Sequence, residues 1–186
     1  MSTSKLPAYH HGDLRRALLD AAMETLTQEG AAGLGLRDLA RKVGVSPAAP
    51  YRHFDSRISL LEALATIGYR RFAETVSAAA GEGTPAEQLY AMGRAYVGFA
   101  LDNPNLFRLM FSPELERSAR PMLGMAADAA FATLSQVTGR LGGDGRIAAL
   151  RAWTQVHGLA VLMLDGQIRL GPNESAEGLI AAVIAG

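Results

Sequence analysis

The sequence predicts an all-α protein, and three observations support this fold class. Patterns typical of strands are nearly absent, residues that favour helices fill long segments, and apolar residues recur three and four positions apart. Of the 186 residues, 49% are hydrophobic and 19% are charged. A chain of this length and composition can bury a core, so we expect a globular protein without extensive disorder.

The first four helices are predicted from their ends as well as from their apolar periodicity. Gly30 and Gly44 end the first two, because glycine readily adopts the left-handed backbone that closes a helix. Ser46 is a suitable N-cap for the third helix and Pro47 suits its first position, where a missing N–H has no consequence. The break at Ser56 precedes the fourth helix. These helices are predicted over 12–29, 36–43, 47–54 and 57–80.

The remaining helices follow a loop signal at Gly81, Gly83 and Thr84-Pro85. The helix predicted over 144–170 is apolar on nearly every face, which is typical of a helix buried all round. The later helices are predicted over 85–102, 104–111, 114–141, 144–170 and 174–185.

Several classes of function are disfavoured by what the sequence lacks. Without cysteine there is no disulfide, thiolate metal site or cysteine nucleophile. The four histidines (His10, His11, His53 and His157) have no metal-ligand spacing, and no nucleophile elbow or phosphate loop occurs. We therefore expect no metal, no cofactor and no catalytic residue, and we predict that the protein is not an enzyme.

No secretion signal or membrane span is expected either. Residues 1–9 lack an apolar stretch, and no segment looks close to the ~20 apolar residues that a membrane span needs. A cytoplasmic location fits these observations.

Formal charge is zero overall but unevenly divided. Residues 1–57 hold 8 Lys and Arg against 6 Asp and Glu, whereas residues 58–186 hold 10 against 12. We therefore expect an anionic partner to meet the amino-terminal part.

The segment 36–54 has the organisation of a helix-turn-helix. Two short helices are joined at Gly44-Val45, and the small Ala40 allows the second helix to approach the first. The second short helix carries small or polar residues, so it could enter a DNA major groove without obstruction. We therefore expect a DNA-binding domain over 1–57 and a larger helical domain over 58–186. The residues in question are Ser46, Ala48, Ala49, Arg52 and His53.

The stretch LRDLARKVGVSPAAPYRHFDSRISLLEAL resembles the DNA-binding signature of the TetR family of transcriptional regulators. The segments HHGDLRRALLDAA, NPNLFRLMF and WTQVHGLAVL further resemble the branch whose carboxy-terminal domain has a Trp, His, Gly signature. Three residues depart from the family pattern: Pro50 replaces a common Leu, Gly35 replaces a Ser or Thr cap, and Ser59 replaces a capping Glu. We expect Pro50 to distort the first turn of its helix without breaking the helix.

The resemblance implies roles for individual residues. Tyr51, His53 and Arg57 would contact phosphates, and Arg57 also stands at a helix amino terminus, which favours anions. The alternative is that Tyr51 belongs to the core and that Arg57 is a solvated charge. Arg37 could widen the basic surface, as could Arg41 and Lys42. The residues implied to face DNA bases are Ser46, Pro47, Ala48, Ala49 and Arg52.

For the larger domain, the resemblance implies a homodimer formed by helices 144–170 and 174–185, hence a near-palindromic DNA operator. It also implies a cavity for a small apolar or amphipathic effector that respaces the two DNA-binding domains by moving helix 57–80. Each candidate wall residue could equally be ordinary core, and His157 could be hydrogen-bonded to a neighbour. The candidates are Tyr90, Tyr96, Phe99, Phe107, Met110, Met125, Trp153, His157 and Met163.

The function expected from these observations is that of a sequence-specific DNA-binding regulator, in particular a repressor released from its operator by the effector. The alternative is a helical protein-interaction module that does not bind DNA, whose binding would not depend on salt.

Overall fold

The computed structural model describes residues 11–171 and 173–185, and residues 1–9 and His10 lie outside them. Over the described residues the chain is helical and contains no strand, which confirms the predicted fold class. Short 3-10 segments occur at Ala31–Gly33, Ala49–Arg52 and Arg117–Ala119. The α-helices are α1 (His11–Glu29), α2 (Leu36–Lys42), α3 (Arg57–Ala80), α4 (Pro85–Asp102), α5 (Pro104–Met110), α6 (Pro121–Gly139), α7 (Gly145–Leu164) and α8 (Ala176–Ala185).

The chain divides into two compact units, and the division falls inside α3, between Leu64 and Ala65. The sequence analysis places the domain boundary at the start of this helix instead. One continuous helix therefore belongs to both units.

The first unit has a small apolar core built by α1, α2 and the start of α3. Leu18, Ala22 and Leu26 follow one another at intervals of four on α1, so they share one face, and none of them is exposed. Arg15 of α1 lies over the Phe54 ring, with its guanidinium carbon 5.4 Å from the ring centroid. The other buried residues of this core include Leu34, Leu36, Leu39, Ala40, Leu60, Leu61 and Leu64.

The helix predicted over 47–54 is wrong in type and length, since the chain there forms a 3-10 segment over Ala49–Arg52. The Ala49 N–H donates to the carbonyl of Ser46 at 2.9 Å, so Ser46 contributes its backbone and not a side-chain cap. Pro50 has no N–H with which to continue an α-helical ladder, and its ring restricts the preceding residue. The helix therefore shrinks to one tight turn, a larger effect than the distorted first turn that the sequence predicted.

In the second unit α4 is the central helix and packs against α5, α6, α7 and α8. It begins with a reciprocal capping box, in which Thr84 and Glu87 each bond to the other's backbone N–H. Asp144 caps α7 by accepting from the backbone N–H groups of Arg146 and Ile147.

Two helices are shorter than predicted. The helix predicted over 114–141 begins only at Pro121, because a proline is acceptable in the first turn of a helix but not inside it. The helix predicted over 144–170 ends at Leu164, and Gly166 then adopts a φ of 64°, a left-handed conformation that stops a helix. All other helix ends lie within two residues of the predicted positions.

This helix is not buried all round within the single chain, and its burial against a second subunit stays a prediction. Ile147 and Leu162 of α7 are 40% and 47% exposed. Within the described ranges, α7 is the one helix whose length and composition would allow it to cross a membrane, whereas the sequence analysis finds no such segment. It packs along α4 and α6, as a helix of a bundle does.

Gly44 provides a test of the turn between α2 and the 3-10 segment. Its φ is 73°, and a Cβ added there would meet no atom within 4 Å, so only backbone strain opposes a side chain. We expect Gly44→Ala to lower the free energy of unfolding by about 1–2 kcal/mol, as measured by urea denaturation.

Gly44→Asn is the matched control and should be less destabilising, because asparagine tolerates this backbone region better than alanine. A Gly44→Ala variant as stable as the original chain would show that the turn does not need the left-handed conformation.

Candidate DNA-binding surface and ligand cavity

One side of the 3-10 segment packs against the core of the first unit, and the other side is exposed to solvent. Pro50 and Phe54 are buried, whereas Tyr51 is 46% exposed. The His53 and Phe54 N–H groups both donate to the carbonyl of Pro50, at 2.9 and 3.0 Å. The Val45 N–H donates to the carbonyl of Ala40 at 2.9 Å and so ties the turn to α2.

This arrangement brings most of the predicted DNA-facing residues to the surface. Ala49 and His53 are half-buried, and the Nε2 atom of His53 is buried without a hydrogen-bond partner among the described residues. Phe54 is a core aromatic, whereas Tyr51 is not, so the alternative that Tyr51 belongs to the core is wrong. The exposed residues are Arg37, Ser46, Pro47, Ala48, Tyr51 and Arg52.

The basic side chains near this surface differ in whether they already form an ion pair. Arg41 pairs with Asp38 at 2.8 Å and Lys42 pairs with Glu24 at 3.0 Å. The guanidinium groups of Arg37 and Arg52 have no partner within the part of the chain that the structure describes. These two arginines are therefore the cations that remain available to an anionic partner.

Arg57 has a structural role that the sequence did not predict. Its Nε donates to the carbonyl of Leu34 at 3.0 Å and its Nη2 donates to the carbonyl of Ala31 at 2.7 Å. These bonds fasten the start of α3 to the loop after α1, so Arg57 is not simply a solvated charge, and its predicted phosphate contact stays a prediction.

Ser56 and Ser59 cap the same helix reciprocally. The Ser56 N–H donates to Oγ of Ser59 at 3.1 Å and the Ser59 N–H donates to Oγ of Ser56 at 3.2 Å. Ser59 therefore substitutes for the glutamate that the family pattern would place there.

The second unit encloses a cavity of about 1130 Å³ whose walls are mainly apolar and aromatic. Three of the nine predicted wall residues line it, namely Tyr90, Tyr96 and Trp153. Its other aromatic walls are Tyr69, Phe72, Phe111 and Phe131.

The remaining predicted wall residues lie elsewhere. Phe107 is only 1% exposed and belongs with Met110 to the packed core. Met125 is 66% exposed on α6, on a face that does not line the cavity. Phe99 lines a smaller groove, and neither Met163 nor His157 is among the wall residues.

The spacing of apolar residues on α3 indicates further cavity-lining residues that were not among the predicted ones. Tyr69, Phe72 and Val76 are spaced three and four apart, so they share one helical face, and all three line the cavity. The resemblance implies only that helix 57–80 moves, and none of its residues is among the predicted wall residues.

A chain of three polar rings stands beside the cavity. The Nε1–H of Trp153 donates to the Tyr96 hydroxyl at 3.3 Å, and that hydroxyl lies 2.8 Å from Nδ1 of His157. Burial lowers the pKa of His157 and raises the pKa of Tyr96, so a neutral imidazole and a neutral phenol are favoured. His157 thus has the hydrogen-bonded neighbour that the sequence analysis left open.

Tyr69 is also held in its protonated form. Its hydroxyl donates to the carbonyl of Met110 at 2.8 Å, and burial raises its pKa to about 12 although the charge of Arg117 opposes this shift. The phenols of Tyr69 and Tyr96 are therefore uncharged near neutral pH.

An exposed turn that follows two helices, together with a separate helical unit that contains a cavity, is the organisation of a helix-turn-helix protein with a second, helical domain. The family description "Bacterial regulatory proteins, tetR family" matches residues 18–64, and "Tetracyclin repressor-like, C-terminal domain" matches residues 89–185. The second match alone covers more than half of the chain, so the chain belongs to the TetR family. The resemblance stated from the sequence is thereby confirmed.

Solved structures agree with this assignment. A protein of unknown function from Rhodococcus sp. RHA1 has a TM-score of 0.82 and 34% identity, over 96% of this chain and 93% of that chain. The transcriptional regulator FadR from Bacillus subtilis, solved in complex with stearoyl-CoA, has a TM-score of 0.70 over 91% of this chain and 95% of that chain. At 15% identity, FadR is similar in fold alone.

Among curated proteins, an HTH-type transcriptional regulator of Mycobacterium bovis is 33% identical over 97 residues, which is 50% of this chain and 42% of that protein. An uncharacterized HTH-type transcriptional regulator of Bacillus subtilis is 28% identical over 96 residues, 52% of this chain and 50% of that protein. The chain thus spans about half the length of these relatives.

The lowered pKa of His157 predicts a pH-dependent stability. In the unfolded chain its pKa is about 6.5, so on acidification the unfolded state takes up the proton first. The contribution of the neutral ring is complete above this value, and it is lost as the pH falls from there towards the folded pKa.

We expect His157→Asn to melt below the unchanged chain at pH 7.5 and to approach it at pH 5.5, since asparagine does not titrate. The measurement is the difference in melting temperature between the two proteins at each pH. A difference that stays constant or grows on acidification would contradict a neutral His157.

Proposed function

We propose that this chain is a sequence-specific DNA-binding transcriptional regulator, in particular a repressor that a small molecule releases from its operator. The observation that carries the proposal is the slim, exposed turn from Ser46 to Arg52, anchored by Pro50. Its outward residues are small or polar, which suits entry into a major groove about 12 Å wide. The proposed operator would be DNA in the cytoplasm, so we propose that the protein is cytoplasmic.

Two arginines would have different roles in binding DNA, one contacting a base and the other a phosphate. Arg52, at the end of the turn, is suited to donate two hydrogen bonds to a guanine edge. Arg37, exposed on α2, would contact phosphate, as would the hydroxyl of Tyr51. Ser46, with Pro47, Ala48 and Ala49 beside it, would face the bases through small contacts, including those to thymine methyl groups.

A single turn of this size offers little binding surface, so we propose that two copies act together. The outward side of α7 displays Ile147 and Leu162, and Gly158 between them leaves open space where a second helix could approach. Helix α8 lies beside α7, with Nε2 of Gln155 donating to the Val183 carbonyl. A two-fold dimer through α7 and α8 would present two turns to a near-palindromic operator.

Helix α3 would couple effector binding in the second unit to DNA binding by the first. Arg57 fastens the start of α3 to the first unit, while Tyr69, Phe72 and Val76 of α3 line the cavity of the second. A ligand that binds better when α3 is displaced would shift the population towards a respaced dimer.

Catalysis is not part of the proposal. The TetR family is not an enzyme family. Among the described residues, no group of three or more His, Cys, Asp or Glu could hold a metal ion.

Binding to DNA from upstream of the gene provides the first test. We expect Arg52→Ala to lose about 1–3 kcal/mol against the preferred operator and little against a randomised duplex, because base contacts specify the sequence. Arg37→Ala should weaken binding to both duplexes and reduce the salt slope by about 1. Fluorescence anisotropy at several salt concentrations measures both effects.

The matched control is Arg70→Ala, an exposed arginine of the second unit, which should bind DNA unchanged. Binding that does not respond to salt would instead favour a protein-interaction module.

The proposed dimer is tested by one charge on α7. Leu162→Glu would place a carboxylate in an apolar interface, so we expect mainly monomer by sedimentation velocity at a concentration where the unchanged chain is dimeric. Met125→Glu, on an exposed apolar residue of α6, should remain dimeric. A dimeric Leu162→Glu variant would place the interface elsewhere.

A further inference from the structure

The cavity of the second unit is elongated. Its lining residues extend over positions 86–96 of α4, 124–134 of α6 and 146–156 of α7. At 1.5 Å per residue, each of these stretches is about 15 Å long. A cavity bounded lengthwise by three helices suits a long molecule better than a compact one.

Arg117 lies at one end of this cavity, just before α6. It lines the cavity together with Ser118, Tyr69 and Phe111. A Cβ on Gly124, in the first turn of α6, would lie 3.5 Å from the Arg117 carbonyl oxygen, which places the arginine beside the start of that helix. Its positive charge acts on the wall residue Tyr69, because it lowers the pKa of the Tyr69 hydroxyl, which burial raises.

The charged wall residues are two arginines and two carboxylates, and they differ in whether they already have a partner within the protein. The Glu87 carboxylate accepts hydrogen bonds from the N–H and hydroxyl of Thr84, so it is committed to the start of α4. Arg117, Arg146 and Asp128 have no hydrogen-bond or ion-pair partner for their side chains in the described ranges. The wall therefore has two arginines and one carboxylate without a partner among the described residues, and the Glu87 carboxylate is a fourth charge that is hydrogen-bonded to the start of α4.

Two of the hydroxyl groups in the cavity wall already have hydrogen-bond partners within the protein. The Tyr69 hydroxyl is used by the Met110 carbonyl and the Tyr96 hydroxyl by Trp153 and His157. With these hydroxyls occupied, the aromatic rings present apolar surface. A ligand with one charged end and an apolar body fits this pattern.

We propose that the effector is an elongated amphipathic carboxylate, bound with its apolar body between α4, α6 and α7 and its carboxylate against the Arg117 guanidinium. This inference rests on the proposed effector function and names the chemistry of that effector. The guanidinium would donate to the carboxylate in the paired geometry that arginine favours.

The test compares three probes that share one apolar chain: dodecanoate, dodecanol and dodecyltrimethylammonium. Each is titrated into the full chain without DNA, below its micelle concentration, and affinity is measured by isothermal titration calorimetry. We expect dodecanoate to bind at least about tenfold more tightly than dodecanol, because it gains a charge-assisted contact. The cation should bind most weakly.

Substitutions locate the carboxylate. Arg117→Gln should weaken dodecanoate by about tenfold and leave dodecanol unchanged, since only the charged contact is removed. Asp128→Asn should strengthen dodecanoate binding, because it removes the uncommitted negative charge from the wall. The control Arg70→Gln removes an exposed charge that does not line the cavity and should change nothing.

Three results would overturn the inference. The first is a cation that binds as tightly as dodecanoate. The second is an Arg117→Gln variant that loses dodecanoate and dodecanol equally or keeps both. The third is a loss of dodecanoate in Arg146→Gln in place of Arg117→Gln, which would put the carboxylate at the other end.

Failure of the broader function would look different. A chain that binds dodecanoate as predicted but does not bind operator DNA would refute the regulator proposal and leave the ligand class standing. A chain that binds DNA and is released by dodecanol or by the cation, but not by dodecanoate, would refute only the ligand class.

Discussion

The attachment of α3 by the Arg57 guanidinium is the interaction on which the proposed regulation depends. Its two donors reach the carbonyls of Ala31 and Leu34, at 2.7 and 3.0 Å, and so fix where the helix begins in the first unit. The same helix continues into the second unit, where it supplies part of a cavity wall. A helix bound firmly at one end and facing a ligand site at the other can transmit a displacement only if the bound end holds.

The DNA-binding surface depends on a second constraint, which is the proline inside the short recognition segment. Pro50 prevents an α-helical ladder, and its buried ring together with Phe54 determines which side of the turn faces inward. Tyr51 and Arg52 face outward as a consequence. The residue that departs most from the family pattern therefore shapes the surface on which family function rests.

The cavity combines aromatic walls with few uncommitted polar groups. Hydrogen bonds within the protein satisfy the phenols of Tyr69 and Tyr96, so in our proposal the charged wall residues would govern which ligand is preferred. Selectivity for the charge of the ligand would then come from one charged contact, while the packed rings would limit the size and shape of the ligand. This division of tasks is common in sites for small amphipathic molecules.

Local sequence patterns were enough to predict the fold class, most of the helix ends and the position of the helix-turn-helix. These features follow from local rules of periodicity, glycine and proline placement and capping, as at Gly30 and Pro85. Only the tertiary structure decided that Arg57 bonds inward, that Phe107 and Met110 are core, and that Tyr69 and Phe72 line the cavity. Those outcomes depend on which helix lies opposite a given face, and residues far apart in the chain set that arrangement.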